Sequence, residues 1–226
     1  MVFRTKFFII LALALLASCA GNKTSNAPLY ESIRWYTGEN GAVDDARARV
    51  LLELAVETGD PLAVMWLARV YSTGRMTFVA DKNKAITIAE SVIFEIEEMA
   101  QRGHPEAMFL LGTAFAEGLA KPESPEHAAS WYRQAAHKGN TLAMHNMGNV
   151  YASGTGVPQS DRQAVSWWRQ AAEAGDAIPQ LRLGTMLEQG RGVEQDLNQA
   201  VAWYLKAANR GNQAAAEALE RLEISY

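Results

Sequence analysis

The apolar positions of this chain keep two rhythms, and the stretch from Asn140 to Gly175 shows both. Ala143, Met147, Val150 and Tyr151 fall at i, i+4, i+7 and i+8, which is one face of an α-helix. The pattern stops at Ser153-Gly154, and Gly154-Thr155-Gly156-Val157-Pro158 is a turn with two residues free to take positive φ. Asp161 then offers a carboxylate to the free N–H groups of a second helix. There Ala164, Trp167 and Ala171 recur at i, i+3 and i+7, and Gly175 stands where a left-handed cap is usual. The unit predicted is a helical hairpin, helix A over 140–153 and helix B over 161–174.

The second rhythm is the hairpin itself. Gly103, Gly139, Gly175 and Gly211 are spaced 36 residues apart, as are Gly112, Gly148 and Gly184, Ala128, Ala164 and Ala200, and Trp131, Trp167 and Trp203. A fixed period of this size signals stacked supersecondary units whose stability is shared between neighbours. Gly148 and Ala171-Ala172 are expected to let helix axes approach, with Trp167 filling the gap in the neighbouring layer. Burying one such side chain is worth roughly 1.5–3 kcal/mol. With no strand signal, the predicted fold class is all-α.

Tyr151-x-x-Gly154-x-Gly156-Val157, followed by Asp161, Ala164, Trp167-Trp168, Ala171-Ala172 and Gly175, resembles the Sel-1-like repeat, a relative of the tetratricopeptide repeat. Leu183-Gly184, Gly190-Arg191-Gly192-Val193, Asp196, Ala200, Trp203-Tyr204, Ala207-Ala208 and Gly211 repeat the resemblance. It covers three clear units and two degenerate ones. The resemblance implies a right-handed α-solenoid acting as an adaptor for other macromolecules, and it brings no shared catalytic residue.

Taken in order, residues 1–18 read as an export signal: Arg4 and Lys6 precede an apolar run from Phe7 to Ala17 that is too short to span a bilayer. The run ends at Leu16-Ala17-Ser18-Cys19, which resembles a bacterial lipobox, and Cys19 is the single cysteine. The resemblance implies cleavage before Cys19 and lipid on its sulfur; the plainer alternatives are an ordinary signal peptide with a chance cysteine, or a weak membrane anchor. With Ala20 and no aspartate after Cys19, the expected location is the outer membrane, facing the periplasm. Residues 19–28 form a polar tether. Residues 29–59 form a degenerate first hairpin, followed by repeats over 60–103, 104–139, 140–175 and 176–211 and a cap helix over 212–226. The repeat 60–103 is eight residues longer than the others. Its helix B is expected to run over 81–102, grown by about two turns, or roughly 10 Å. The added residues either pack on the adjacent unit or form an apolar ridge for a partner. In the repeat 104–139, Gly118-Leu119-Ala120 lacks the second turn glycine, so a locally different loop is expected.

Composition narrows the function. Removing 1–18 leaves 19 basic against 25 acidic side chains, without a basic stripe, which argues against nucleic acid. No nucleophile, phosphate-loop or zinc-helix motif occurs, and His104, His127, His137 and His145 form no i, i+4 pair. The expectation is therefore no catalytic residue, no metal and no cofactor.

What varies between units is a stripe on helix A, at places sharing one face: Trp66, Arg69, Thr73; Leu110, Thr113, Glu117; Asn146, Asn149, Ser153; Arg182, Thr185, Gln189. Such positions either vary for want of constraint or line a binding groove. Trp66 as an exposed anchor favours the groove. The candidate contacts are Trp66, Arg69, Leu110, Thr113, Asn146, Asn149, Arg182 and Thr185. The expected partner is a protein or extended peptide, with a peptidoglycan strand as the alternative and a β-lactam or cell-wall hydrolase as a remoter one.

Overall fold

The structure is a computed structural model that describes residues 26–224. Among these residues every regular element is an α-helix. Helices α1 (Ala27–Thr37) and α2 (Asp45–Glu57) form the first hairpin, and α3 (Pro61–Thr73) is followed by two short helices, α4 (Lys82–Glu90) and α5 (Ile93–Gln101). Three regular hairpins come next: α6 (Pro105–Glu117) with α7 (Pro125–His137), α8 (Thr141–Ser153) with α9 (Asp161–Glu173), and α10 (Ala177–Gln189) with α11 (Leu197–Ala208). Helix α12 (Gln213–Arg221) closes the described chain. The expected export signal over 1–18 and the expected lipidation site Cys19 lie outside the described residues, whereas Ala27 and Pro28, expected in the tether, already belong to the first turn of α1.

Capping sets the helix starts. The A helices α3, α6, α8, α10 and α12 begin after Asp60, His104, Asn140, Asp176 and Asn212, each accepting a backbone N–H two or three residues on. The B helices begin after Asp81, Ser124, Ser160 and Asp196 in the same way. Each cap stabilises its helix by about 1 kcal/mol. In the unit 140–175 the cap is thus Ser160 and not Asp161, because the side chain one residue earlier already reaches the N–H of Gln163. Asp161 instead takes the guanidinium of Arg191 in a two-pronged contact at 3.1–3.3 Å, tying one unit to the turn of the next.

That turn explains the second glycine. A Cβ on Gly156 would lie 2.4 Å from the carbonyl oxygen of Pro125, and one on Gly192 would lie 2.4 Å from the backbone of Asp161. Each turn therefore presses on the start of the preceding helix B. Ala120 takes the same left-handed conformation, φ 56° against 76° and 69° for the two glycines, so the different backbone expected at this place is not found.

The hairpins close on a glycine and an aromatic ring. A Cβ at Gly148 would lie 2.3 Å from Trp168, and Cβ atoms at Gly112 and Gly184 would lie 2.7 Å from Tyr132 and Tyr204. The side chain that fills the glycine gap is thus the one after the periodic tryptophan, and not Trp167 as the sequence suggests. A helix turns about 100° per residue, which sends neighbours to different layers. Trp167 is buried too, but edge-on against His137 of the preceding unit, with ring centres 5.5 Å apart.

Two features depart from a regular stack. The helix expected over 81–102 breaks at Ser91-Val92, where Val92 leaves helical geometry at φ −136°. The residues after the break form α5, which packs on α6 and buries Ile96 and Ala100, so no continuous ridge stands out, although Phe94 stays exposed. The first hairpin, in turn, is more than an end cap. The Val43 N–H donates to the Arg210 carbonyl at 3.1 Å, and Arg210 Nε donates to the Gly38 carbonyl at 3.2 Å, a contact between residues 172 apart in sequence. The array curls until its last full repeat meets the α1–α2 turn, and α1 lies against the inner side of the A helices.

Candidate functional site

The stripe on the A helices divides by burial, and α1 covers its first residues, Trp66 and Arg69. Trp66 and Leu110 are 0 % exposed, Thr113 1 % and Arg69 5 %. This corrects the reading of Trp66 as an exposed anchor: its face points away from its own hairpin but into the space that α1 occupies. Tyr36 of α1 meets Trp66 edge-on at 6.2 Å, and Phe109 packs on the other side at 5.8 Å. Thr113 is also spent, donating to the Phe109 carbonyl and accepting from the Tyr132 hydroxyl, each at 3.2 Å.

A polar cluster lies under this cover. Trp66 Nε1 donates to one oxygen of Glu106 at 2.6 Å, and Asn140 Nδ2 donates to the other at 2.8 Å. Burial pushes the Glu106 carboxyl up to about 7, against the pull of those two hydrogen bonds and of the Arg69 charge. The Arg69 guanidinium sits 4.5 Å from the Trp66 ring centre, 5.3 Å from that of Phe109 and 5.6 Å from that of Tyr36.

The other half of the stripe stays open. Asn146 and Thr185 are half-buried, and Asn149 and Arg182 are exposed. Asn149 Oδ1 accepts from Trp168 Nε1 at 3.2 Å, which holds its amide in place. The Tyr204 hydroxyl lies 2.7 Å from Glu188 and 3.3 Å from Thr185, and Arg221 reaches Glu188 at 2.8 Å. The Arg221 hydrogen bond holds the Glu188 carboxyl below its ordinary range, while burial, with the neighbouring Glu188, pushes the Tyr204 phenol up to about 12. The structure therefore separates the eight candidate residues into a buried set (Trp66, Arg69, Leu110, Thr113), of which Arg69 borders a cavity, and a solvent-reachable set (Asn146, Asn149, Arg182, Thr185).

Between the α1–α2 turn and the A helices lies a cavity of about 320 Å³. Tyr36, Arg69, Leu142, Asn146 and the pair His145–Asp176, 3.0 Å apart, form its walls, and Val43, Ile178 and Gln213 stand at its mouth. Among the described residues no group of three His, Cys, Asp or Glu side chains is placed to hold a metal ion, and no helix is long and apolar enough to cross a membrane.

Sequence reasoning passed over Glu106 and weighed His145 only against the other histidines, although the register marks both. Glu106 interrupts the apolar column Leu62, Leu142, Ile178, and His145 interrupts Met65, Phe109, Leu181. A polar residue in an otherwise apolar register column was the available signal.

Comparison with known proteins agrees with this architecture. The Sel1 repeat pattern matches residues 61–88, 105–140, 141–176 and 180–212. The crystal structure of a Sel1 repeat protein from Oxalobacter formigenes is similar over 92 % of this chain and 82 % of its own, with 26 % identity and a TM-score of 0.58. A protective antigen of uropathogenic Escherichia coli strains with an SLR fold is similar over 85 % of this chain and 47 % of its own, at 24 % identity and a TM-score of 0.53. A comparison with curated proteins gives no match. With four repeat units matched over more than half of its length, the chain belongs to the Sel1-repeat family.

Proposed function

We propose that this protein is a non-catalytic adaptor, anchored by lipid on Cys19 at the periplasmic face of the outer membrane, that docks a protein or extended peptide on the open half of its A-helix stripe. Sel1-repeat proteins generally mediate protein–protein interaction, and the fold is typically a non-catalytic scaffold. The observation that carries the reading for this chain is the division of the stripe. Asn146, Asn149, Arg182 and Thr185 remain reachable on two consecutive A helices while the equivalent places before them are sealed.

The chemistry of that half suits a peptide. An Asn amide both donates and accepts, so it matches backbone groups of an extended chain, and Arg182 adds a cation for a partner carboxylate. A glycan strand is less well served, because Trp66, the one aromatic ring among the candidate contacts, is buried and offers no platform for a sugar.

A photo-cross-linking residue at Asn149, with a control at exposed Gln170 on α9, tests the site in intact cells. One discrete adduct from position 149 and none from position 170 is the expected result. Equal labelling from both positions, or no adduct from position 149, would refute the assignment.

A further inference from the structure

We infer that the cavity between the α1–α2 turn and the A helices binds a small organic acid through its carboxylate, with Arg69 as the cation that receives it.

Arg69 is the unusual residue of this space. Its side chain is 5 % exposed, and Nε and Nη1 are fully buried without a hydrogen-bond acceptor among the described residues. The three surrounding rings recover part of the cost of burying a cation. They do not satisfy a planar fork of five N–H donors, whose geometry matches a carboxylate. The nearby Glu106 has both oxygens engaged by Trp66 and Asn140. Arg69 therefore lines the cavity with three rings around its charge and no hydrogen-bond acceptor for Nε or Nη1, although Glu106 feels that charge.

The rest of the wall selects the kind of anion. Asn146 offers an amide, and the first turns of α10 and α12, at Ala177 and Gln213, bring the positive ends of two helices to the same space. Asp45 and Asp176 also line it, and Asp176 is already engaged, accepting from the Ile178 N–H at 3.1 Å and paired with His145. Two acids in the wall disfavour a dianion such as phosphate. Leu142 and Tyr36 inside, with Val43 and Ile178 exposed at the mouth, favour an aliphatic tail. A monoanionic carboxylate with a branched apolar portion fits both ends, and a cavity of about 320 Å³ holds a small one.

A free acid and the C-terminal carboxylate of a peptide present the same group, and the test separates them. The inference rests on the cavity and not on the adaptor reading, so cross-linking at Asn149 and ligand binding here can fail independently.

Titration calorimetry on the full chain in mild detergent, with N-acetyl-leucine, N-acetyl-leucinamide, the tripeptide N-acetyl-Ala-Ala-Leu and inorganic phosphate, tests it. At least one of the two acids is expected to bind below about 10 mM, and the amide at least about tenfold more weakly, the cost of losing a charge-assisted pair. Tighter binding of the tripeptide identifies a peptide terminus as the source, and tighter binding of N-acetyl-leucine a free acid. Arg69→Met, which keeps a long unbranched side chain but removes the charge, should abolish binding while the melting temperature holds. Ile178→Asp, at the exposed mouth, should weaken binding at least about threefold through like-charge repulsion, without touching the core. If Arg69→Met does not fold, Ile178→Asp decides. Equal affinity for acid and amide, phosphate binding as strong as the acids, wild-type affinity in folded Arg69→Met or in Ile178→Asp, or no binding of either acid would overturn the inference.

Discussion

Trp66 and Glu106, 40 residues apart on successive A helices, are joined by an indole N–H to carboxylate hydrogen bond of 2.6 Å inside the protein. Both belong to the inner side of the array, and both are sealed there by α1. The bond holds an ionisable group at a place that is only 5 % exposed, and that burial gives the fold a pH dependence.

For Glu106 the folded carboxyl titrates at about 7 against an ordinary 4.5. The folded form holds its proton where the unfolded chain has lost it, so this group's contribution is fully present below 4.5 and is lost as pH rises through 7. One unit is worth about 1.4 kcal/mol, so the loss amounts to about 3 kcal/mol. Glu106→Gln should flatten the dependence of urea stability on pH across that window. It should also lower stability at pH 4.5 by about 1–3 kcal/mol, because one amide oxygen cannot accept from both Trp66 and Asn140. Parallel pH profiles for the two proteins would contradict this.

Gly148→Ala places a methyl 2.3 Å from the Trp168 ring. Alanine gains about 1 kcal/mol of helix propensity over glycine, but overpacking against a rigid ring costs about 1–3 kcal/mol. The steric term wins and the melting temperature should fall. In a double-mutant cycle with Trp168→Leu, the second change should cost less in the Gly148→Ala background than alone. Strict additivity would show that the two residues do not share the gap.

Trp167→Ala removes a ring that is 9 % exposed and packs on His137 of the preceding unit. The expected cost is about 3–5 kcal/mol, read as a clear drop in melting temperature. An unchanged melting temperature would show that Trp167 is not a core residue.

Cys19→Ser tests the anchor. The variant should remain unprocessed by the lipoprotein peptidase or be released from membranes, as seen by gel mobility and fractionation. Normal processing with wild-type sedimentation would show that lipid on Cys19 is not what anchors the chain, and the match of Leu16-Ala17-Ser18-Cys19 to a lipobox would be fortuitous.

Arg182→Ala should weaken a cross-linked partner modestly, and more at low salt than at high, since an exposed cation is screened over about 10 Å at 0.1 M. A loss independent of salt would point to packing in place of charge.

The sequence by itself determined the hairpin, its period and its caps, because these depend on contacts between residues close in the chain or one repeat apart. Asn140, Ser160, Gly148 and Trp168 each meet a partner within the same unit, and such contacts are written as spacing. The break at Ser91-Val92 was less legible, since the apolar period continues across it while the backbone does not. Only the tertiary structure decided which face of the A helices meets solvent. Each stacked unit adds a small rotation, and the sum over the array brings Arg210 back to Gly38, with α1 laid across Trp66 and Arg69. No local pattern encodes that sum. An outward tryptophan in its own hairpin thus became a buried one in the molecule, and an arginine of the same stripe became the wall of a cavity.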